Sequence, residues 1–264
     1  MTFENKIIWI TGASSGIGEA LTYELIKRKA VVLISARREQ ELQRVRNNCG
    51  PWSGFCHIYP MDLTNDHEIK DVSAAILAAF SKIDILIHNG GISQRSLLAE
   101  TPVEVDRKIM DINFFGAVML TKSVLPAMIL QKQGHIVVIS SITGKFGFPL
   151  RSAYSASKHA LHGFFETLRT EHIKDHINVT IVCPGRVHSN ISLHAMTKDG
   201  LAHGVMDHGQ EGGIAADKCA REILKAVAGN KKEVLIGREE LLMVYIKRYF
   251  PWLFYKLVSR VQPR

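Results

Sequence analysis

The sequence has 264 residues, 46% of them hydrophobic, which is enough apolar material for the core of one large domain. The formal net charge is +8, but lysine and arginine are scattered along the chain, and no nucleic-acid-binding motif accompanies them. The composition therefore predicts one domain spanning residues 1–264. We expect its basic surface to suit a small anionic ligand, and we expect no nucleic-acid partner.

The four cysteines, Cys49, Cys56, Cys183 and Cys219, are far apart and form no pair with metal-ligand spacing. The first predicted strand begins at residue 6, so we expect no secretory signal before it. No uninterrupted apolar run approaches the ~20 residues of a membrane-spanning helix. These features predict a cytoplasmic protein with reduced cysteines.

A glycine-rich turn follows the first predicted strand, residues 6–11, and leads into a helix with an apolar face. Glycines allow a tight turn and a close approach of the backbone, and the N-terminus of the helix offers unpaired N–H groups to a pyrophosphate. The pattern predicts a nucleotide-binding turn. Its predicted contact residues are Gly12, Ser14, Ser15, Gly16, Ile17 and Gly18.

The second predicted strand, Val31–Ser35, is followed closely by Arg37 and Arg38. In a dinucleotide site this position faces the adenosine ribose, where an acid binds a free 2′-hydroxyl and an arginine accommodates a 2′-phosphate. Because the chain has two arginines and no acid there, we predict NADP(H) in preference to NAD(H). The alternative is that both arginines are solvated residues ahead of the next helix.

Strand-like and helix-like segments alternate through the rest of the chain, which is typical of a parallel sheet covered by helices on both faces. The predicted strands are 6–11, 31–35, 55–60, 83–88, 135–140, 177–183 and 233–236, and the predicted helices include 68–79, 103–130 and one that begins at Tyr154. We therefore predict an α/β fold of the doubly wound, Rossmann type with about seven strands. Polar or glycine-rich residues follow several of the strands, where such folds bind ligands.

Tyr154 and Lys158 lie four residues apart in the first turn of a predicted helix, so their side chains share one face. A phenol with a pKa of about 10 is a poor base at neutral pH, but a nearby ammonium favours the phenolate. The pair is therefore a candidate general acid/base for a hydroxyl or carbonyl group.

Several motifs stand in the order and spacing of the classical short-chain dehydrogenases/reductases, which the sequence resembles over about residues 6–237. They are the glycine turn, Asp62, Asn89, Gly90, Gly91, Asn113, Ser141, Tyr154, Lys158, Pro184 and Gly185. The resemblance is closest to the dehydrogenase/reductase member-7 branch, through segments 89–97, 156–161, 168–171 and 183–191. One departure is His88, which stands where the family has the first asparagine of Asn-Asn-Ala-Gly and puts that side chain's role in doubt.

The resemblance implies a role for each of four catalytic residues. Tyr154 would exchange a proton with the substrate oxygen, and Lys158 would lower the pKa of that tyrosine and bind the nicotinamide ribose. Ser141 would hydrogen-bond the substrate oxygen, where charge develops in the transition state. Asn113 would hold a water that links Lys158 to solvent.

The resemblance also implies the cofactor contacts. Asp62 and Leu63 would contact the adenine, while Asn89 and Gly90 would lie on the adenosine side. The nicotinamide carboxamide would be received by Pro184, Gly185, Val187 and Ser189. Ser189 keeps the hydroxyl of the threonine that is more usual in the family.

Residues 186–213 lose helical or strand periodicity and are rich in glycine, histidine and methionine. Long irregular segments in compact domains are usually functional or disordered, and by analogy with the family we predict a substrate lid. Its histidines, His188, His194, His203 and His208, are irregularly spaced and have no accompanying acidic motif, so we predict no metal site.

The C-terminal tail, residues 239–264, is apolar and aromatic, and from residue 241 onward it has basic residues and no acidic ones. Such a mixture suits a helix that lies on an anionic membrane. The rival interpretation is a subunit contact or a cover over the substrate pocket.

We therefore predict an NADP(H)-dependent oxidoreductase that transfers a hydride between nicotinamide and a carbonyl or secondary alcohol. The predicted substrate is a hydrophobic ketone or aldehyde, such as a steroid-, retinoid- or quinone-like molecule. Two alternatives are a 3-oxoacyl-thioester reductase and a non-catalytic NADP(H)-sensing protein. Family members commonly pair through two long helices, here 103–130 and 154–171, which predicts a homodimer or homotetramer.

Overall fold

A computed structural model describes residues 2–260. The strands are β1 Ile7–Thr11, β2 Val31–Ser35, β3 Cys56–Ile58, β4 Ile85–His88, β5 Gly134–Ile139, β6 Ile177–Pro184 and β7 Glu233–Ile236. The α-helices are α1 Gly16–Ile26, α2 Glu39–Asn47, α3 Asp66–Phe80, α4 Val103–Met110, α5 Gly116–Gln131, α6 Ser152–Glu171, α7 His208–Glu211, α8 Ala216–Ala228, α9 Leu242–Tyr249 and α10 Pro251–Val258.

The strands form one parallel sheet of seven, in the spatial order β3-β2-β1-β4-β5-β6-β7. Trp9 in β1 pairs with Leu33 in β2 on one side and with Leu86 in β4 on the other. The chain builds outward from β1 to β3 and then crosses back to β4, so the strand order reverses between β1 and β4. Doubly wound folds bind ligands at such a switch point. The predicted fold class is confirmed, as is the expectation of about seven strands.

The sheet is buried on both faces, which explains why its strands are nearly continuous apolar runs. On one face, Ile8 and Ile10 belong to a core cluster with Leu21 and Leu25 of α1. On the other face, Trp9 belongs to a cluster with Phe165 of α6, and its indole N–H donates to Ser35 Oγ at 2.9 Å. Alternate residues of one strand thus anchor two helical layers, which fix the carboxyl ends of the strands.

Two predicted elements differ from the structure. The third strand is only Cys56–Ile58, because a 3₁₀ helix, Gly50–Phe55, precedes it and Pro60 has no N–H for the sheet. The helix predicted over 103–130 is divided into α4 and α5 by a π-helical turn, Asp111–Phe115. Hydrophobic periodicity does not detect such a turn, which adds one residue without ending the helix.

The run Val103–Gln131 is long and apolar enough, by length and composition alone, to cross a membrane. In the structure, however, Leu120, Val124 and Met128 are buried in the core beside the sheet. Packing inside the fold therefore accounts for part of the apolar composition of this segment.

The predicted lid and tail both connect to the carboxyl edge of the sheet. Residues 186–213 follow β6 and contain the short helix α7, and they are otherwise irregular. The tail follows β7 and forms α9 and α10, joined at Phe250. The predicted tail extends to residue 264, and its last four residues, 261–264, lie outside the described residues.

Candidate active site

The turn between β1 and α1 has the backbone conformation that its glycines predicted. Gly12 and Gly16 have φ values of +65° and +58°, a region that side chains disfavour. A Cβ on Gly18 would lie 2.4 Å from the Gly12 carbonyl oxygen, so no larger residue fits there. The turn is therefore built for close packing of backbone, and α1 begins directly after Ser15 with its first N–H groups unpaired.

Asn89, after β4, holds this turn in place. Its Nδ2 donates to the carbonyl oxygens of Thr11 and Gly12, at 3.1 and 2.9 Å. The backbone N–H groups of Asn89 and Gly90 donate to Thr11 Oγ1, at 3.2 and 3.1 Å. Leu63 lies against the same point, since a Cβ on Gly90 would come within 2.6 Å of its Cδ1. The structure thus brings together three segments that the sequence separates.

Asp62, predicted beside the adenine, stands in a turn before α3. Its Oδ1 accepts hydrogen bonds from the backbone N–H and the hydroxyl of Thr64, both at 2.9 Å. Its own N–H donates to Glu68 Oε2 at 2.8 Å. These contacts orient the carboxylate by local geometry.

Tyr154 is the third residue of α6, and Lys158 follows one turn later. Both side chains are buried. The Tyr154 N–H donates to Gln94 Oε1 at 3.2 Å, and Lys158 Nζ donates to the carbonyl oxygen of Ile139 at 2.9 Å. Lys158 Nζ lies 5.7 Å from the centroid of the Tyr154 ring. The helix start and the end of β5 therefore position the pair together.

Opposing influences set the pKa of the Tyr154 phenol. Burial raises it, whereas a side-chain hydrogen bond with Ser141 and the positive charges of Arg151 and Arg95 lower it. The net direction is upward, so the phenol is protonated at neutral pH. Burial also lowers the pKa of Lys158, to about 8. Arg151 and Arg95 are thus two cations that favour the phenolate, and the sequence motif did not indicate either of them.

Ser141 follows β5 and begins a 3₁₀ turn, Ile142–Gly144. Its Oγ accepts from the Thr143 N–H at 3.2 Å. The neighbouring Ser140 Oγ donates to the carbonyl oxygen of Lys158 at 3.2 Å and contacts His162 Nε2 at 3.1 Å. The two serines thus have different neighbours at the end of β5. Ser141 lies toward the Tyr154 phenol, and Ser140 supports α6, the helix that carries Tyr154.

Asn113 lies within the π-helical turn and is buried. Its Oδ1 accepts from the Ile92 N–H at 2.8 Å, and its Nδ2 donates to the Ile92 carbonyl oxygen at 2.9 Å and to Ser157 Oγ at 3.0 Å. A Cβ on Gly91 would lie 2.9 Å from Asn113 Oδ1 and 3.6 Å from Lys158 Nζ. The extra residue of the π turn turns the asparagine toward the segment after β4.

These residues surround one cavity at the carboxyl ends of β4, β5 and β6. The lining residues are Ile17, Asn89, Gly91, Ile139, Ser140, Ser141, Tyr154, Lys158, Pro184, Gly185, Val187, Ser189, Ile191 and Gln210. We call this cavity the reaction pocket. Val187 is buried and pairs with Ile214, and Ser189 Oγ donates to the Val187 carbonyl oxygen at 3.3 Å.

A second, polar cavity begins where the reaction pocket ends, because Ser189 lines both. Its other lining residues are Ser14, Ser15, Gly16, Glu19, Arg38, Glu41, Arg44, His188, Asn190 and His194. We call it the ribose pocket. Because they share Ser189, the two cavities adjoin, and their linings run as one groove from Arg38 past the start of α1 to Tyr154.

The two predicted arginines differ in position. Arg38 lines the ribose pocket, whereas Arg37 is exposed and is not part of its lining. Arg44, which the sequence pattern did not indicate, bonds both carboxylates of the pocket, Glu19 at 2.7 Å and Glu41 at 2.9 Å. Within residues 2–260, Arg38 has no ion-pair partner. It is therefore the cation of this pocket whose charge is uncompensated.

His88, the departure from the family motif, has a place in the core. Its Nε2 lies 2.8 Å from Thr121 Oγ1, and its ring lies 5.4 Å from that of Phe165. Burial lowers its pKa to about 3, so the imidazole is neutral. The side chain therefore joins β4 to α5 and leaves the adjoining Asn89 to clamp the glycine turn.

Sequence motifs did not indicate the ionic cluster that holds the predicted lid. Asp207 of the lid accepts from Arg95 Nε at 3.1 Å and from an Arg151 guanidinium nitrogen, also at 3.1 Å. Arg95 additionally donates to Ser93 Oγ at 3.0 Å. The contact between Arg95 and Asp207 joins residues 112 apart in the sequence, and no local pattern signals it.

The sequence pattern also did not indicate Gln210 of α7 as a site residue. It lines the reaction pocket, and its buried Oε1 is one of the side-chain atoms that have no hydrogen-bond partner in the described protein. A buried amide oxygen without a partner is costly unless a ligand supplies the donor. Its position in an irregular segment gave no periodic signal.

Behind Ser140, His162, Glu166 and Glu233 bring three potential metal-ligand atoms within 4.8 Å of one another. Lys145 Nζ contacts two of them, 3.2 Å from His162 Nδ1 and 2.5 Å from Glu233 Oε2. The ammonium thus already places a positive charge beside these ligand atoms. Burial lowers the pKa of His162 to about 4, and the neutral ring serves as a hydrogen-bonded support for Ser140.

The fold and groove define a class of protein: a doubly wound α/β domain with a tyrosine–lysine pair where its strands end. Comparison with known proteins gives the family. The family model described as short chain dehydrogenase matches residues 6–199. Dehydrogenase/reductase SDR family member 7B from Mus musculus is 40% identical over 260 residues, covering 97% of this chain and 80% of that protein.

Two solved structures share the fold. A short chain dehydrogenase/reductase from Burkholderia phymatum in complex with NAD has a TM-score of 0.84 at 20% identity, covering 100% of this chain and 98% of that one. A short chain dehydrogenase from Burkholderia cenocepacia in complex with NADP has a TM-score of 0.81 at 23% identity, covering 98% and 99%. The chain belongs to the short-chain dehydrogenase family of oxidoreductases, and its predicted resemblance to the member-7 branch is confirmed.

Proposed function

We propose that this protein is an NADP(H)-dependent oxidoreductase that interconverts a hydrophobic ketone or aldehyde and the corresponding alcohol. The observation that carries the proposal is the groove formed by these two adjoining pockets. Ser141, Tyr154 and Lys158 lie in its reaction pocket, the glycine turn lies in its ribose pocket, and Ser189 lines both. Two neighbours in fold, one in complex with NAD and one with NADP, support a nicotinamide cofactor.

The cofactor, when bound, supplies or accepts the hydride. The protein's part is proton transfer and orientation. Tyr154 donates its proton to the carbonyl oxygen during reduction, because burial raises the pKa of the phenol and keeps it protonated. Ser141 holds the same oxygen by a hydrogen bond. In oxidation the phenolate takes the proton, and the charges of Arg151 and Arg95 favour that form against the effect of burial.

Lys158 has two tasks in this proposal. Its bond to the Ile139 carbonyl oxygen fixes the ammonium beside the tyrosine ring. From there it would bind the ribose hydroxyls of the cofactor. Asn113 has a positioning role. Its side-chain amide bonds Ile92 and Ser157 and so keeps the start of α6 in position.

The preference for NADP(H) rests on Arg38. Arg44 is committed to Glu19 and Glu41, so Arg38 is the uncompensated cation that a 2′-phosphate would meet. Arg37 is exposed beside it and would add long-range attraction. The preference for a hydrophobic substrate rests on Ile17, Ile139, Val187 and Ile191 around the reaction pocket.

We also propose a homodimer or homotetramer that pairs through α5 and α6. Phe115, directly before α5, is 51% exposed, and its ring meets that of Phe114 edge-on at 5.1 Å. Phe114 in turn lies 6.0 Å from Phe164 of α6. An exposed aromatic ring beside two partly buried ones suits a subunit interface.

The cofactor proposal is tested by titrating the purified protein with NADPH and NADH and following nicotinamide fluorescence. Arg38→Ala should weaken NADPH binding about tenfold or more and leave NADH binding nearly unchanged, because it removes a charge-assisted bond to the phosphate. Arg37→Ala should have a smaller effect. Arg107→Ala, an exposed arginine of α4, is the matched control for lost charge. Equal affinity of the wild type for both nucleotides would contradict the preference.

A further inference from the structure

The C-terminal tail exposes large apolar side chains that a folded protein normally buries. The residues are Leu242, Tyr245, Tyr249, Phe250, Trp252 and Tyr255, each between 52% and 68% exposed. We call this set the tail surface. Single exposed hydrophobic residues are ordinary, but six within fourteen positions form a patch of the kind that marks a binding surface.

Helical geometry aligns these side chains within each of the two helices. In α9, Leu242, Tyr245 and Tyr249 are spaced i, i+3 and i+7, which places them on one face. In α10, Trp252 and Tyr255 are spaced i and i+3 and are likewise exposed. The opposite side of α10 holds Phe254, which is buried and whose ring lies 5.1 Å from Phe146. One aromatic residue thus fastens the tail to the protein, and the rest point outward.

The tail is a fixed element. Glu240 Oε1, at its base, accepts from the Arg186 N–H at 2.8 Å, next to Gly185 of the reaction pocket. Lys247 joins the two helices, since its Nζ donates to the Tyr255 hydroxyl at 2.5 Å and lies 4.2 Å from that ring's centroid. Because the surface is already ordered, binding through it costs little conformational entropy.

The charged side chains of the tail from residue 241 onward are all positive. Lys247, Arg248, Lys256 and Arg260 are basic, and no acidic residue occurs from residue 241 to the end of the sequence. Within residues 2–260, none of these four cations has a carboxylate in salt-bridge distance. The tail surface is therefore aromatic and apolar with an uncompensated positive charge.

We propose that the tail surface docks onto an anionic phospholipid membrane. Tryptophan and tyrosine favour the boundary between lipid headgroups and acyl chains, and each lysine or arginine gains from anionic lipid near it. A symmetric contact with a second copy would place these cations against each other with no acid to compensate them. A cover over the substrate pocket is disfavoured because the six side chains face away from the protein.

The proposal is tested by co-sedimentation with vesicles of phosphatidylcholine alone and of phosphatidylcholine with phosphatidylserine. The protein should partition onto the anionic vesicles and be released by high salt. Tyr249→Ser with Trp252→Ser should reduce the partition coefficient about tenfold or more, because two interfacial aromatics are lost. Trp52→Ser is the matched control, since Trp52 is also exposed, at 50%, but lies outside the tail. Circular dichroism confirms that each variant folds.

A second readout is tryptophan emission in the Trp52→Phe background, which should shift to the blue on anionic vesicles as Trp252 enters the interface. The proposal is overturned if the wild type does not bind anionic vesicles. It is also overturned if the double variant binds as well as the Trp52 control. Loss of self-association in the double variant by sedimentation velocity, with vesicle binding unchanged, would assign the surface to a second copy instead. None of these results depends on catalysis.

Discussion

At the scale of single residues, the reactivity of Tyr154 is a balance between burial and charge. Burial raises the pKa of the phenol, and a bond with Ser141 and the charges of Arg151 and Arg95 lower it. A raised pKa suits the proton donor of carbonyl reduction at neutral pH. The reverse reaction requires the phenolate, so alcohol oxidation should become faster as the pH rises into the alkaline range.

Arg151→Gln should shift this pH dependence. The substitution removes a positive charge that favours the phenolate, so the pKa of Tyr154 rises and the acidic limb of kcat/KM for oxidation moves to higher pH. Arg151→Lys should return the acidic limb part of the way to its wild-type pH, and Arg107→Gln should leave the limb at its wild-type pH. A limb that does not move in Arg151→Gln would show that Arg151 does not influence the phenol.

Gln210→Leu tests the unpartnered amide oxygen in the reaction pocket. If a bound ligand supplies the donor, the variant should weaken binding of that ligand about tenfold while thermal stability stays the same or rises, since the buried acceptor is gone. A change in NADPH affinity would assign the donor to the cofactor, and a change in KM alone would assign it to the substrate. His208→Leu on the same helix is the control. Reduced stability with both affinities unchanged would contradict a ligand contact.

At the scale of elements, one carboxylate joins the predicted lid, residues 186–213, to two other parts of the fold. Asp207 bonds both Arg95, after β4, and Arg151, at the start of α6. Asp207→Asn removes the charge from this contact and should loosen residues 186–213. Hydrogen exchange of those residues should increase, because local opening reflects the loss of their few tertiary bonds.

Asp199→Asn is the matched control, since Asp199 belongs to the same segment and ion-pairs with no described residue. Its exchange should resemble that of the wild type. If the two variants exchange alike, the ionic cluster does not hold the lid.

The elements also show what a sequence can predict. The sheet was predictable because its strands are apolar on both faces. The glycine-rich turn was predictable because Gly12, Gly16 and Gly18 have local backbone reasons to be glycine. The π turn around Asn113 was not predictable, since it inserts one residue without breaking the helical pattern. The contact of Arg95 with Asp207 was not predictable either, because it depends on how distant segments of the chain meet.

At the scale of the whole molecule, three neutral histidines are built into the fold. Burial lowers the pKa of His88 to about 3 and of His135 and His162 to about 4. Their ordinary pKa is about 6.5, so below that pH the unfolded chain binds more protons than the folded one. The stability they contribute is complete above about pH 6.5 and is lost as the pH falls toward the folded values.

Thermal unfolding measured from pH 7.5 to pH 4 should therefore show a falling midpoint. His135→Asn should flatten this fall, because it removes one of the groups that must be protonated on unfolding, even if it lowers stability at neutral pH by breaking the contact with Thr180. An exposed histidine, His194, provides the control variant His194→Asn. A slope equal to that of the wild type in His135→Asn would contradict the linkage.

The most direct test of the whole account is hydride transfer by the wild type and Tyr154→Phe. Purified protein is mixed with NADPH and a panel of hydrophobic ketones and aldehydes, and NADPH consumption is followed alongside NADPH affinity. We predict turnover by the wild type and a loss of about 10²-fold or more in Tyr154→Phe, with NADPH affinity retained, because the variant lacks only the proton donor. Equal turnover by the two proteins would contradict the assignment of Tyr154 as the catalytic acid.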